Sequence, residues 1–188
     1  MATPTPVVIS GPAGSGKTTI ARALAATLGC PSISRDEIKE GMVHAADAFD
    51  PAPDDALTRA TLPTFFEVIR LLLQRGVTVV AEAAFQDAIW KTNLEHLHDL
   101  ASFRIVQCHA DPSVARRRIL NREPRPAHAD ADLRQTLAAG DGYFTDFDRL
   151  AISAPSLDVD TTDGYVPALD QVAEFVNRPD LDRRPQLP

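Results

Sequence analysis

Residues 6–18 read Pro6-Val7-Val8-Ile9-Ser10-Gly11-Pro12-Ala13-Gly14-Ser15-Gly16-Lys17-Thr18. Their order decides the fold. The first five form an apolar run of the length of a buried strand. Three glycines then fall within six positions, and a helical stretch follows from about Lys17 to Leu28. Gly11 to Thr18 is a full match to G-x-x-x-x-G-K-[ST], with a strand before it and a helix after it as its chemistry requires. Gly11, Gly14 and Gly16 let the backbone curl so that successive N–H groups converge on an anion. Lys17 adds a mobile cation suited to the β- and γ-phosphates of a nucleotide, and the Thr18 hydroxyl suits Mg2+. The helix that starts here presents the positive end of its dipole to the same anion. With Pro12, Ala13, Ser15 and Thr19 as their neighbours, these residues form the candidate nucleotide-binding set. A nucleoside triphosphate with Mg2+ is the expected ligand.

Outward from this loop, short apolar runs alternate with helical stretches. Pro31–Ser34 reads as a second strand, ending at a helix that begins near Arg35. Residues 56–75 read as helical, with Pro63 either kinking or splitting the stretch. Gly76 closes it, and Val77–Ala81 is a third strand. Asp87–Leu100 is a helix and Phe103–Cys108 a fourth strand. Asp111-Pro112 pairs an N-cap with a proline at the first helical position, opening a helix that stops before Pro124. A loop over 124–131, a helix over 132–147, a strand over Ser156–Asp160 and a helix over Val166–Asn177 complete the series. Strands alternating with helices in this way predict a parallel five-stranded sheet covered on both faces, an α/β/α sandwich of the P-loop NTPase class. We expect a single domain over 1–177, an Arg-rich lid at about 116–131 and a disordered tail over 178–188.

The whole chain of 188 residues carries 19 basic and 26 acidic side chains, a net charge of −7. Such a field repels polyanions, which argues against nucleic acid and anionic membrane surfaces as partners. No apolar stretch approaches the roughly 18–20 residues of a membrane span. Met1–Pro6 lacks the basic and apolar regions of a signal peptide, so a cytoplasmic setting is expected. Cys30 and Cys108 are isolated and read as unpaired thiols. His44, His96, His98, His109 and His128 show no metal-ligand spacing beyond His96 and His98, which would point apart on a helix. Trp90 and Phe85 read as core.

No base-reading N-K-x-D segment of a GTPase is present. A small phosphoryl-transfer enzyme fits the length, and such an enzyme needs an acceptor site, a carboxylate near the metal and a mobile basic lid. Ser34-Arg35-Asp36-Glu37-Ile38-Lys39 follows the second strand, beside the glycine loop where ligands collect at strand ends. Asp36 could accept the proton of an attacking hydroxyl, with Arg35 or Lys39 holding the acceptor or the transferring phosphoryl group. Glu82, at the tip of the third strand, could contact Mg2+ or reach the acceptor instead. Either Asp36 or Glu82 could therefore be the base. Arg116, Arg117, Arg118, Arg122 and Arg125 against Glu123 make residues 116–125 locally +4. Arg118 and Arg122 share a helix face at i, i+4 and could neutralise charge in the transition state.

These features resemble the small P-loop kinases related to zeta toxins, polynucleotide 5′-hydroxyl kinases and chloramphenicol phosphotransferase. The resemblance covers roughly residues 6–177 in element order. Arg35-Asp36-Glu37-Ile38-Lys39 stands where the polynucleotide kinases carry an R-D-D-x-R-like segment, which implies Asp36 as general base and Lys39 in the place of a substrate-handling arginine. Ala115 to Arg125 is similar to the lid of the antibiotic kinase, which implies nucleotide and phosphate roles for Arg118, Arg122 and Arg125. Asp158-Val159-Asp160-Thr161-Thr162 contains the V-D-T-T found near the adenine in many small kinases. The resemblance implies ATP as the donor. The expected activity is transfer of the γ-phosphoryl group to a hydroxyl of a small molecule: a metabolite, nucleotide-sugar or antibiotic. A polynucleotide 5′-hydroxyl acceptor is the alternative within enzymes, and an ATP-binding switch or partner-binding module is the alternative outside them. Oligomeric state is not legible.

Overall fold

Five parallel strands lie in the order β2-β3-β1-β4-β5 in a computed structural model that describes residues 4–52, 54–139 and 147–179. They are β1 (Pro6–Ser10), β2 (Ser32–Ser34), β3 (Val79–Glu82), β4 (Arg104–His109) and β5 (Ser156–Asp160). The helices are α1 (Lys17–Leu28), α2 (Arg35–His44), α3 (Ala56–Gln74), α4 (Asp87–Leu94), α5 (Pro112–Asn121), α6 (Asp130–Ala139) and α7 (Leu169–Asn177). β1 is central, flanked by β3 and β4, and all five of its residues are buried. Successive strand side chains point to opposite faces, which divides the core in two. Val8, Val79, Ala81 and Ile105 pack on Phe65, Ile69, Leu73 and Trp90 from α3 and α4. Val7, Ile9, Val80 and Val106 pack on Ile20 and Leu24 of α1 and Val172 and Phe175 of α7. The result is the expected three-layer sandwich, with the tips of β1, β2 and β3 converging on the glycine loop.

Boundaries shift where backbone groups are already engaged. β3 starts at Val79 rather than Val77 because the Val77 N–H donates to Leu72 O at 2.9 Å and the Gly76 N–H to Leu73 O at 2.9 Å. These two bonds close α3 with a left-handed Gly76. α7 starts at Leu169 rather than Val166 because Val166 exchanges two backbone bonds with Asp160. α3 is one continuous helix, with Pro63 on its exposed side. A proline inside a helix costs about 3 kcal/mol through the lost hydrogen bond and the clash of its ring, and the buried stripe of Phe65, Phe66, Ile69 and Leu73 offsets it. The helix expected to reach Leu100 ends as α-helix at Leu94 and tightens into a 3-10 turn over Glu95–Leu97, which buries Leu97. α6 begins at Asp130, two residues before the expected start. Phe147 is non-helical, and positions 140–146 lie outside the described residues. In the segment expected as a tail, Arg178 is tied down, its carbonyl accepting from Arg104 Nη2 at 2.6 Å. Residues 180–188 lie outside the description. Cys30 and Cys108 are free, and no helix among the described residues is long and apolar enough to cross a membrane.

Two buried polar links hold the site's supports in place. Trp90 Nε1 donates to Ser10 Oγ at 3.2 Å, and Ser10 Oγ donates to Phe85 O at 3.3 Å. Around them Phe65, Phe66, Phe85 and Trp90 pack with ring centroids 5.2–6.0 Å apart. The second link joins α2 to α3. Lys39 Nζ pairs with Asp55 Oδ2 at 2.7 Å, with the two side chains only 3% and 8% exposed. Asp55 also caps α3 by accepting from Thr58 N at 2.7 Å and Thr58 Oγ1 at 3.1 Å. Burial opposes its charge, but Lys39 and Thr58 outweigh it and bring its pKa down to about 2. Replacing Lys39 by methionine leaves that carboxylate buried and unpaired, so unfolding free energy should fall by about 3–5 kcal/mol in urea titration at pH 7. The sign of the pH effect follows from a lowered folded pKa. The pair's contribution is complete above the unfolded value of about 4 and is lost as pH falls towards 2. The Lys39→Met variant should lack that part of the acid transition.

Candidate active site

The glycine loop is built to bring backbone close to backbone. Gly14 has φ 77°, and a Cβ on it would lie 2.5 Å from the Ala115 carbonyl oxygen of α5. Gly16, also left-handed, is the N-cap of α1. The loop therefore leaves the free N–H groups at the start of α1 facing its concave side, the arrangement that cradles a phosphate. Ser15 Oγ is fully buried with no hydrogen-bond partner among the described residues. A cavity of about 230 Å³ lies between the loop and the end of β4, lined by Gly11, Pro12, Ser15, Gln107, His109 and Phe147 among others.

Lys17 opens α1 and folds back over the loop, its Nζ 3.4 Å from Pro12 O and 3.8 Å from Glu82 Oε1. Thr18 Oγ1 donates to Glu82 Oε2 at 3.2 Å, and Ser34 Oγ donates to the same oxygen at 2.9 Å. The register explains this meeting, since Ser34 and Ile9 are the partners of Glu82 in the strands on either side. Glu82 is 3% exposed. Burial pushes its pKa up, while Lys17, Ser34 and Thr18 hold it back. A hydroxyl and a carboxylate side by side next to a phosphate cradle are the oxygen donors a hard divalent cation such as Mg2+ takes. Thr19, one position further, is exposed on the first turn of α1.

Asp36 lies on the first turn of α2 and gathers charge from two other segments. Arg125, in the loop between α5 and α6, places Nη1 2.9 Å from Asp36 Oδ2 and 3.5 Å from Glu40 Oε1. Arg35 Nη1 lies 3.3 Å from Asp36 Oδ1. Burial works against the charge of Asp36, but His128, Arg125 and Lys17 outweigh it and hold the carboxyl well below the usual carboxylate range. His128 Nε2 meets Glu40 Oε1 at 3.2 Å, and burial lowers the imidazole pKa against the pull of Asp36.

The basic segment divides its work unevenly. Arg118 Nη1 donates to Gly14 O at 3.2 Å and Thr161 Oγ1 at 3.1 Å, and its Nη2 to Thr161 O at 2.5 Å. Thr161 Oγ1 in turn donates to Ser15 O at 2.8 Å, so Arg118 and Thr161 join the glycine loop to the tip of β5. Arg122 instead pairs with Asp130 Oδ1 at 2.5 Å, and Asp130 Oδ2 accepts from the Arg125 N–H at 3.0 Å. The residues expected to act together thus separate into three groups. Lys17, Thr18, Glu82 and Asp36 converge; Arg118 stands on the β5 side; Arg122 braces the α5–α6 loop. Lys39 is turned away onto Asp55. Arg125 is the segment's direct link to Asp36, a contact that its basic spacing hinted at without singling it out. Thr161 was visible only through a four-residue resemblance. Among the described residues no group of three or more His, Cys, Asp or Glu is placed to hold a metal ion.

The cradle, the Lys17–Thr18 pair and the carboxylate at the β3 tip define a P-loop nucleotide-binding domain of the α/β class. The chain belongs to the AAA domain family, whose model matches residues 7–144. No curated protein matches it. Among solved structures it is similar to a presumed kinase of Chloroflexus aurantiacus, at 26% identity and a TM-score of 0.76 over 94% of this chain and 95% of that one. The APS kinase of Mycobacterium tuberculosis, solved with AMPPNP and APS, shares the fold at 19% identity and a TM-score of 0.62, over 94% and 96% of the two chains. A gluconokinase of Sinorhizobium meliloti does so at 19% identity and a TM-score of 0.53, over 94% and 91%. Its structural neighbours are thus small P-loop kinases.

Proposed function

We propose that this protein is an ATP-dependent kinase that transfers the γ-phosphoryl group to a hydroxyl of a small molecule. One observation carries the reading: an ionised carboxylate, Asp36, stands within the field of the loop lysine Lys17 and in contact with Arg125 from the α5–α6 loop. That convergence supplies a phosphate cradle, a proton acceptor and a mobile cation around one point. The likeness to a kinase across nearly the whole of both chains supports it.

In this reading the backbone of 11–19 and Lys17 bind the β- and γ-phosphates. Thr18 and Glu82 would hold Mg2+, which when bound supplies charge neutralisation between the phosphates. Asp36 orients the acceptor hydroxyl and takes its proton as the new P–O bond forms and the bond to ADP breaks. Residues 116–131 act as the lid. Arg118 fixes the loop from the adenine side, and Arg122 and Arg125 move onto the phosphoryl oxygens when substrates fill the site. Lys39 acts on the acceptor indirectly, by fixing α2 against α3 through Asp55. The test is Mg2+-dependent ADP release from ATP with pooled acceptors: sugars, sugar acids, nucleosides, aminoglycosides, chloramphenicol-like compounds and 5′-hydroxyl oligonucleotides. Stimulation by a small-molecule pool is the expected result. Stimulation by oligonucleotides alone would move the acceptor to nucleic acid, and ATP binding with no stimulation anywhere would favour a nucleotide-binding switch.

A further inference from the structure

Glu40 and His128 meet where the lid rests on α2, and no step of the proposed transfer uses either of them. Glu40 stands one turn after Asp36, so the two carboxylates share a helix face at i, i+4. Like charges placed this way destabilise a helix unless cations bridge them. The α5–α6 loop brings two basic groups to the pair. Arg125 Nη1 lies 2.9 Å from Asp36 Oδ2 and 3.5 Å from Glu40 Oε1, and His128 Nε2 lies 3.2 Å from that same Glu40 oxygen. An ionised carboxylate only accepts, so Nε2 is the ring nitrogen that carries the proton.

The loop is folded so that both groups emerge towards α2. The His128 N–H donates to Arg125 O at 3.0 Å, the Asp130 N–H donates to His128 O at 2.8 Å, and Asp130 Oδ2 accepts from the Arg125 N–H at 3.0 Å. This turn sets two side chains against two carboxylates one helical turn apart. The two contacts differ in kind. The imidazole is short, 11% exposed and faces Glu40, whereas the Arg125 side chain is long, 29% exposed and divided between two carboxylates. The first suits a fixed contact and the second one that exchanges. When Arg125 leaves Asp36 for the phosphoryl group, His128 and Glu40 remain to hold the lid on α2.

We propose that Glu40 is a positioning residue for the transfer: through His128 it seats the lid on α2, and so keeps Arg125 within reach of both Asp36 and the phosphoryl group. This rests on the kinase reading above and adds to it the residue that places the lid. Glu40 takes no proton from the acceptor and acts through where it leaves Arg125.

The test compares Glu40→Ala, His128→Ala and the double variant in the full chain, reading backbone hydrogen exchange over 122–130. Each single variant should exchange roughly 3- to 10-fold faster there, between the worth of an exposed ion pair and that of a charge-assisted hydrogen bond. The double variant should exchange no faster than Glu40→Ala, because both changes remove one shared contact. Exchange over α3 should stay as in the wild type. Unchanged exchange over 122–130, a double-variant effect equal to the product of the two single ones, or equal acceleration over α3 would overturn the proposal. ADP release with the acceptor pool that stimulates the wild type is the second readout. In all three variants kcat should fall by a similar factor with the KM for ATP nearly unchanged, and turnover that is unchanged or faster would overturn the proposal. Lost protection in the variants with no ADP release even from the wild type would keep the lid's seat and sink the kinase reading.

Discussion

Asp36→Asn should lower acceptor-dependent turnover by roughly 10²–10⁴-fold, the range for loss of a positioned general base, while binding of a nucleotide analogue stays close to wild type. The substitution keeps the size of the side chain and removes its charge. The low pKa of Asp36 shapes this expectation. A carboxylate held so far below its usual range is a weak base, but phosphoryl transfer asks little of a base until the new bond is well formed. Its main service is then to aim the hydroxyl, and asparagine can neither take the proton nor form an ion pair with Arg125. The charged form persists until pH falls through the depressed folded value. Wild-type turnover should therefore show no loss from Asp36 protonation across the usual carboxylate range. Steady-state rates at saturating ATP, with analogue binding measured alongside, check both parts. Loss of nucleotide binding in step with turnover would assign Asp36 to the metal or the fold instead.

Lys17→Ala should show the complementary pattern, losing nucleotide affinity together with at least 10²–10³-fold in turnover, as when a preorganised donor to developing charge is removed. Lys17 is nearly buried, at 9% exposure, between the Pro12 carbonyl and Glu82. It is the nearest positive charge to a carboxylate whose pKa burial already raises. Without it Glu82 loses its main electrostatic support and should take up a proton more readily, which weakens the oxygen pair it forms with Thr18. Calorimetric titration with the analogue, with and without Mg2+, measures this. Affinity equal to wild type in the variant would remove Lys17 from the phosphate site.

The parts of the molecule legible in the sequence are those set by near neighbours. β1, α1 and β5 lie where hydrophobic period and glycine placement put them, because each is defined within a dozen residues. Glu82 was placed at a strand tip by the same local reading. Choices among chemically identical side chains were not legible. Five arginines lie within ten positions, yet the contact with Asp36 falls to Arg125, 89 residues away in sequence, because the chain turns after α5 and Asp130 anchors the turn. Lys39 looked free beside Asp36. Its partner Asp55 lies beyond a stretch without helical or strand pattern, and only the packing of α2 on α3 brings the two together. The start of β3 was hidden too, since the bond from Val77 to Leu72 that closes α3 takes an N–H the strand would use.

The chain's one tryptophan is also an optical consequence of how the loop is supported. Trp90 is wholly buried, and its indole N–H ends on Ser10, the residue directly before Gly11. Its emission is therefore sensitive to the environment of the strand that launches the glycine loop, with no other indole to dilute the signal. A stopped-flow fluorimeter could follow nucleotide arrival at Gly11–Thr18 in the unlabelled protein.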